Sequence, residues 1–215
     1  MLNAQNICKT YRGRPVLDQI QLRCDSGQVC AVLGENGSGK STLLRIVCGQ
    51  LEPDRGTVSI QGHALGGGGV EARRRLGYAP DGSESLPDLS LRELSALVRS
   101  LKRVRADAAA ERQLLAWRER LGLSSAWHQR LGTLSFGQRK RACLLVALCG
   151  DPWLLILDEP SNGLDPAGVA LLVELIEERR QQGQATLLGT NDVPFVQQLT
   201  ARRLHLRDGK LAPEG

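Results

Sequence analysis

The segment Gly34–Ser41, GENGSGKS, constrains this chain more than any other part of it. It spells GxxxxGK[ST] between an apolar run, Val29–Leu33, and a stretch from about Lys40 to Cys48 whose apolar residues fall on one helical face. Glycines at these spacings leave backbone N–H groups free to wrap a phosphate at a helix N-terminus, where the helix dipole also favours an anion. Lys40 brings a point charge for the outer phosphates, and Ser41 a hydroxyl for Mg²⁺. A strand feeding such a loop and then a helix is a unit of an α/β fold built on a largely parallel sheet.

The rest of the sequence supports that class. Alternation at Ile20, Leu22 and Cys24 predicts a strand ahead of Val29–Leu33, and Gly56–Ile60 predicts another. Gly62–Gly69, GHALGGGG, reads as a surface loop. Ser90 opens a capping box, SLRE, and the pattern stays helical to about Leu121 with a break near Lys102–Asp107. Residues 83–135 are therefore read as an inserted helical lobe. A helix from about Gln138 to Cys149 leads into a strand at Trp153–Leu157, and Asp165-Pro166 caps the next helix. Ala185–Gly189 reads as a buried strand, and Leu204–Leu206 as a last short one before a polar tail.

Composition narrows the function classes. With 215 residues, 41% hydrophobic and 24% charged, the chain is sized and composed for one globular domain. Its longest apolar stretches, Ala142–Cys149 and Trp153–Leu157, fall short of the about 20 residues that cross a bilayer, and the N-terminus has no signal-peptide pattern. Six cysteines without a CxxC pair give no zinc or disulfide framework and read as thiols of a reducing cytoplasm. His63, His128 and His205 are far apart and have no ligand spacing. A net charge of +5 is a mild bias toward anionic partners, and a positive charge this diffuse does not by itself call for nucleic acid.

A second chemical signal is LLILDEPSNGLD, Leu154–Asp165, where an apolar strand ends in Asp158 and Glu159. That is the edge at which open α/β sheets bind ligands. Asp158 is placed to hold the metal, and Glu159 to polarise or orient an attacking water. Together with the phosphate loop these residues indicate Mg-ATP or Mg-GTP chemistry.

LSFGQ, Leu134–Gln138, stands just before the helix that leads to the Asp158 strand. It resembles the LSGGQ signature of the ATP-binding cassette (ABC) ATPases, and the resemblance extends over essentially the whole chain. It implies a P-loop NTPase of the ABC-ATPase fold in a single domain, 1–215. Within it, a mostly parallel core sheet, an antiparallel β subdomain and an inserted α-helical subdomain divide the chain into core 1–82 and 136–215 and lobe 83–135. It also implies ATP and Mg²⁺ as cofactors. Gly34, Glu35, Asn36, Gly37, Ser38, Gly39, Lys40, Ser41 and Thr42 would hold one nucleotide. Ser135, Gly137 and Gln138 would meet the nucleotide of an opposing subunit, so that two chains enclose two ATP molecules head to tail. Tyr11, in KTYRGRPVL, sits where the family stacks a ring on adenine, and Asp165 matches the loop that couples the two sites.

This sequence departs from the family at three positions. Asp81 stands where the family usually has a glutamine that contacts metal and water; an aspartate can ligate Mg²⁺ but adds charge near the phosphates. Asn191 stands at the switch histidine, keeps a hydrogen-bond donor and cannot become a cation, which predicts slow turnover. Phe136 replaces a signature glycine. The resemblance implies catalysis by Glu159, Lys40 and Asn191, with metal on Ser41, Asp158 and Asp81. The role it implies is the ATPase subunit of an exporter-like transporter at the cytoplasmic face of the inner or plasma membrane. It would act there as a homodimer or heterodimer, on a separately encoded transmembrane permease. A nucleotide-gated regulatory subunit and a soluble ABC ATPase acting on nucleic acid are the alternatives.

Overall fold

The computed structural model describes residues 1–81 and 86–214 and forms two sheets. The strands in chain order are β1 (Leu2–Tyr11), β2 (Arg14–Cys24), β3 (Val29–Leu33), β4 (Arg55–Ile60), β5 (His63–Ala64), β6 (Leu76–Ala79), β7 (Leu154–Asp158), β8 (Ala185–Thr190), β9 (Ala201–Arg207) and β10 (Lys210–Pro213). The first sheet is antiparallel, in the order β2-β1-β4-β5. The second runs β10-β9-β3-β8-β7-β6 and is parallel except for the β9–β10 pair.

The helices are α1 (Lys40–Val47), α2 (Val70–Arg74), α3 (Leu91–Leu101), α4 (Ala108–Arg120), α5 (Phe136–Leu148), α6 (Pro166–Gln181) and α7 (Val193–Gln197). Successive strand residues face opposite sides of the second sheet. Cys30, Val32, Ile156 and Leu187 bury on the side of α1 and the first sheet. Ala31, Leu33, Leu157 and Leu188 bury on the side of α5, α6 and α7. Because both faces are covered, β3, β7 and β8 are buried along their whole length, and Val29–Leu33 and Leu154–Leu157 read as unbroken apolar runs.

Register then places the site. Leu33 pairs with Thr190, and Asp158 with Gly189, so the carboxyl ends of β3, β7 and β8 come to one edge. The loops that follow these strands, at Gly34, Glu159 and Asn191, must meet there.

In the helical stretch the predicted capping box is present. Ser90 Oγ accepts from Glu93 N–H at 3.2 Å, and the Glu93 carboxylate accepts from Ser90 N–H at 2.8 Å. Leu91, Leu121, Leu123 and Leu131 bury into the same core as α5. The boundary at 82–83 lies outside the described residues. Asp165 caps α6 by accepting from Gly168 N–H at 2.9 Å, with Pro166 in the first turn as predicted.

Two sequence expectations are corrected. Gly62–Gly69 is not simply a loop, since His63–Ala64 pairs with β4 and Leu65 is buried beneath it. The segment after Leu206 is not a polar tail, because a turn at Asp208-Gly209 returns the chain as β10. β1, β6, α2 and α7 were not read from the sequence. β6 and the two helices are too short for a period to show, and β1 is interrupted by register shifts between Ala4 and Thr10.

Lys102, at the C-terminal end of α3, ties that helix to α5. Its Nζ donates to Cys149 O at 2.7 Å and Ala147 O at 3.4 Å. Burial lowers its pKa to about 8, with the Cys149 thiol opposing and Arg179 adding to the shift. The folded-state value lies below the ordinary lysine value, so between these two pH values the unfolded chain binds the extra proton and stability rises with pH. The unfolding midpoint of the wild type relative to Lys102→Met should therefore rise from about pH 8 to pH 10. A difference that stays flat across that window would remove Lys102 as its source.

Candidate nucleotide site

β3 ends at Leu33, and the chain turns through Gly34–Gly39 into α1. Gly39 is the N-cap at φ 106°, a left-handed conformation that a side chain would strain and that has no side-chain cap of its own. The N-terminal N–H groups of α1 therefore point into the loop without a protein side chain to satisfy them. Lys40 is 5% exposed and folds back along the loop, donating to Gly34 O at 2.8 Å and Glu35 O at 3.1 Å. Ser38 Oγ is buried and has no hydrogen-bond partner among the described residues. Donors in surplus around a glycine turn are what a phosphate needs.

The acidic half of the site comes from β7. Ser41 Oγ donates to Asp158 Oδ1 at 3.2 Å, joining the first turn of α1 to the end of that strand. The Asp158 carboxyl is pushed up by burial first, and further by the charges of Glu159 and Asp81, while the Ser41 hydroxyl pulls it down. A divalent cation on Ser41 and Asp158 would relieve that burden. Among the described residues no group of three His, Cys, Asp or Glu side chains is placed to hold a metal by itself. Magnesium does not require one, since it is commonly held by one or two protein ligands with phosphates and water. The residues present therefore fit a magnesium–nucleotide complex.

Glu159 follows at φ 44°, a left-handed backbone that aims its side chain across the site. Oε1 lies 3.2 Å from Lys40 Nζ, and Oε2 accepts from Thr190 Oγ1 at 2.9 Å and Asn191 N–H at 3.3 Å. Asn191 Nδ2 donates in turn to Asn36 Oδ1 at 3.1 Å. The structure thus brings Lys40, Ser41, Asp158, Glu159 and Asn191 together from three strand ends, and ties Asn191 to the phosphate loop as well as to Glu159.

A cleft of about 400 Å³ lies over this cluster, lined by Tyr11, Val16, Asn36, Gly37, Gly39, Lys40, Ser41, Thr42, Asp81 and Glu159. Tyr11 is exposed at its rim, with Lys9 Nζ 5.9 Å from the ring centroid. An exposed ring beside a phosphate loop is available to stack on a base. Asp81 is in the cleft wall, as the sequence suggested, but its Oδ1 is 2.8 Å from Lys140 Nζ. Lys140 was missed by the sequence reading. It lies in the middle of a run of three cations, Arg139-Lys140-Arg141, and nothing in their order says which one turns inward.

Ser135, Gly137 and Gln138 lie outside that cleft wall, at the start of α5. Ser135 Oγ accepts from Gln138 N–H at 3.2 Å, and Gln138 Oε1 from Ser135 N–H at 2.9 Å, which is a capping box. The Phe136 side chain lies against Gly163 in the loop ahead of Asp165. A Cβ on Gly163 would come within 2.2 Å of that ring, and Gly163 has φ 71°.

Residues 17–162 match the family described as ABC transporter. The chain is 33% identical over 219 residues to the uncharacterized ABC transporter ATP-binding protein YdbJ of Bacillus subtilis, covering 100% of this chain and 68% of the relative. It is 32% identical over 215 residues to Nod factor export ATP-binding protein I of Burkholderia orbicola, covering 100% and 70%. An ATP-binding subunit of an ABC transporter superimposes with a TM-score of 0.92 at 28% identity, over 100% of this chain and 89% of that one. The dimeric cassette MJ0796 in its post-hydrolysis state with ADP and Pi gives 0.85 at 22%, over 100% and 98%, a likeness of fold.

The contact of Phe136 with Gly163 yields a stability test. Gly163→Ala should lower the unfolding free energy by at least the about 1 kcal/mol of a strained φ, with a further steric part from the ring. Phe136→Ala added to it should recover that further part in thermal melts. Strictly additive effects would rule out the contact.

Proposed function

The chain belongs to the ABC transporter family, and from that premise we propose that it binds and hydrolyses ATP, dimerises around it and drives a separate transmembrane permease, in the direction of export. The observation that carries the hydrolytic reading is the Glu159 carboxylate. It is buried, aimed by a left-handed backbone, and held between Lys40, Thr190 and Asn191 beside the Ser41–Asp158 pair. The export direction rests on relatives named for Nod factor export.

In this reading Gly34–Thr42 wrap the phosphates and Tyr11 stacks on adenine. Mg²⁺ on Ser41 and Asp158, with Asp81 nearby, supplies charge stabilisation at the phosphates when bound. Lys40 leaves its carbonyl partners for the outer phosphates, which releases Glu159 to orient a water. Asn191 donates toward the γ-phosphate region from its bridge to Asn36, without the positive charge of a histidine. Ser135, Gly137 and Gln138 serve the nucleotide of the opposing chain, and Asp165 lies in the loop between the two sites. The lobe 83–135 carries the motion to the permease, against a core of 1–82 and 136–215. No helix among the described residues is long and apolar enough to cross a membrane. In this scheme the permease is a separately encoded partner. Attachment through it would hold the chain at the cytoplasmic face, as a homodimer or with a second ABC ATPase.

A nucleotide-gated subunit with little turnover is the second reading. The Asn191–Asn36 bond favours it, because it occupies the Asn191 amide on the loop itself. Mg²⁺-dependent ATP hydrolysis by the purified chain separates the two. Glu159→Gln should lower the rate by about 10²-fold or more while ATP still binds. Asn191→His should raise it roughly tenfold. A wild-type rate in Asn191→His, with Glu159→Gln inactive, would refute the role given to Asn191.

A further inference from the structure

Lys140 belongs to none of the roles above, yet it is 5% exposed and its ammonium is surrounded by groups of the site. Nζ donates to the backbone carbonyl of Glu159 in a short contact, to Asp158 O at 3.3 Å, and to Asp81 Oδ1 at 2.8 Å. Three acceptors for three N–H donors is full satisfaction, as a buried ammonium requires. The same cation thus grips both residues at the end of β7 and the one acid in the cleft wall that departs from the family pattern.

We propose that Lys140 is a positioning residue of the hydrolysis site. Its ammonium holds the left-handed backbone that aims Glu159, and it cancels the charge that Asp81 brings into the phosphate cleft. The inference rests on the nucleotide-binding reading above and deepens it.

Two physical consequences follow from the geometry. A Glu at φ 44° is strained, and strain of this kind persists only where surrounding contacts over-determine it. The Gly189 carbonyl, which accepts Glu159 N–H at 2.8 Å, and Lys140, which donates to Glu159 O, hold the two peptides that flank its Cα. Second, Asp81 half-faces the cleft beside Lys40 and Ser41, where an unpaired carboxylate would repel a nucleotide. Removing the cation therefore does two separable things. It frees a negative charge near the phosphates, which weakens binding, and it loosens Glu159, which slows hydrolysis.

A double-mutant cycle on the full chain separates them, with trinitrophenyl-ATP for equilibrium binding and phosphate release for turnover. Lys140→Met should weaken binding roughly five- to tenfold, and Asp81→Asn, at an exposed side chain, should tighten it by a similar factor. The double variant should return to near wild-type affinity, yet keep a kcat reduced at least about tenfold, because the Glu159 carbonyl has lost its donor. Lys140→Arg, which keeps the charge, should bind like the wild type. A double variant that binds as weakly as Lys140→Met, or one with wild-type kcat, would overturn the proposal. Should Lys140→Met not fold, Asp81→Asn decides alone, since unchanged or weaker binding there contradicts the charge argument. A wild-type chain that binds no nucleotide would overturn both this inference and the reading it rests on, whereas wild-type binding that neither Lys140→Met nor Asp81→Asn shifts would overturn this inference only.

Discussion

The register of the buried parallel strands is the constraint on which the rest of the molecule depends. Pairing Leu33 with Thr190 and Asp158 with Gly189 brings three strand ends to one edge, each followed at once by a functional loop. A slip of one residue in any of these strands would exchange the faces of its buried side chains and carry its loop out of reach. The apolar residues that make the sheet insoluble on its own are therefore also what sets distances of about 3 Å between groups far apart in sequence, such as Lys40 and Glu159.

Around that edge four of the described residues, Lys40, Lys140, Asp158 and Glu159, are charged and buried. Buried ions are expensive unless paired and hydrogen-bonded, and here nearly every oxygen and ammonium is matched within the cluster. Lys40 reaches Glu159, Ser41 reaches Asp158, and Lys140 reaches the backbone of both acids. Such a network contributes little to stability compared with an apolar core of the same volume. What it does supply is a polar geometry already in place at the phosphates, where charge must be stabilised without prior reorganisation.

The departures at Asp81 and Asn191 look different in this setting than they do as isolated letters. An aspartate in the cleft wall is an added charge when read alone, and in the fold it has a cation at 2.8 Å. An asparagine at the switch position is a shorter donor when read alone, and in the fold it bridges Glu159 and the phosphate loop through its backbone and its side chain. Phe136 likewise is accommodated because a glycine with positive φ lies under it.

The α/β class, the phosphate loop, the acidic strand end and the helix caps at Ser90 and Asp165 were all legible in the sequence. Each rests on local rules: a glycine spacing, an apolar run buried on both faces, a side chain three residues from the N–H it caps. Short elements were not legible, because β6 and α7 have too few residues to show a period, and the pairing of β10 depends on a turn rather than on its own composition. Which of three adjacent cations turns inward, which carboxylate it meets, and how the backbone at Glu159 is held were decided only by tertiary structure. Those contacts join residues from different strands and helices, and no neighbour in sequence carries the information about a charge partner 59 positions away.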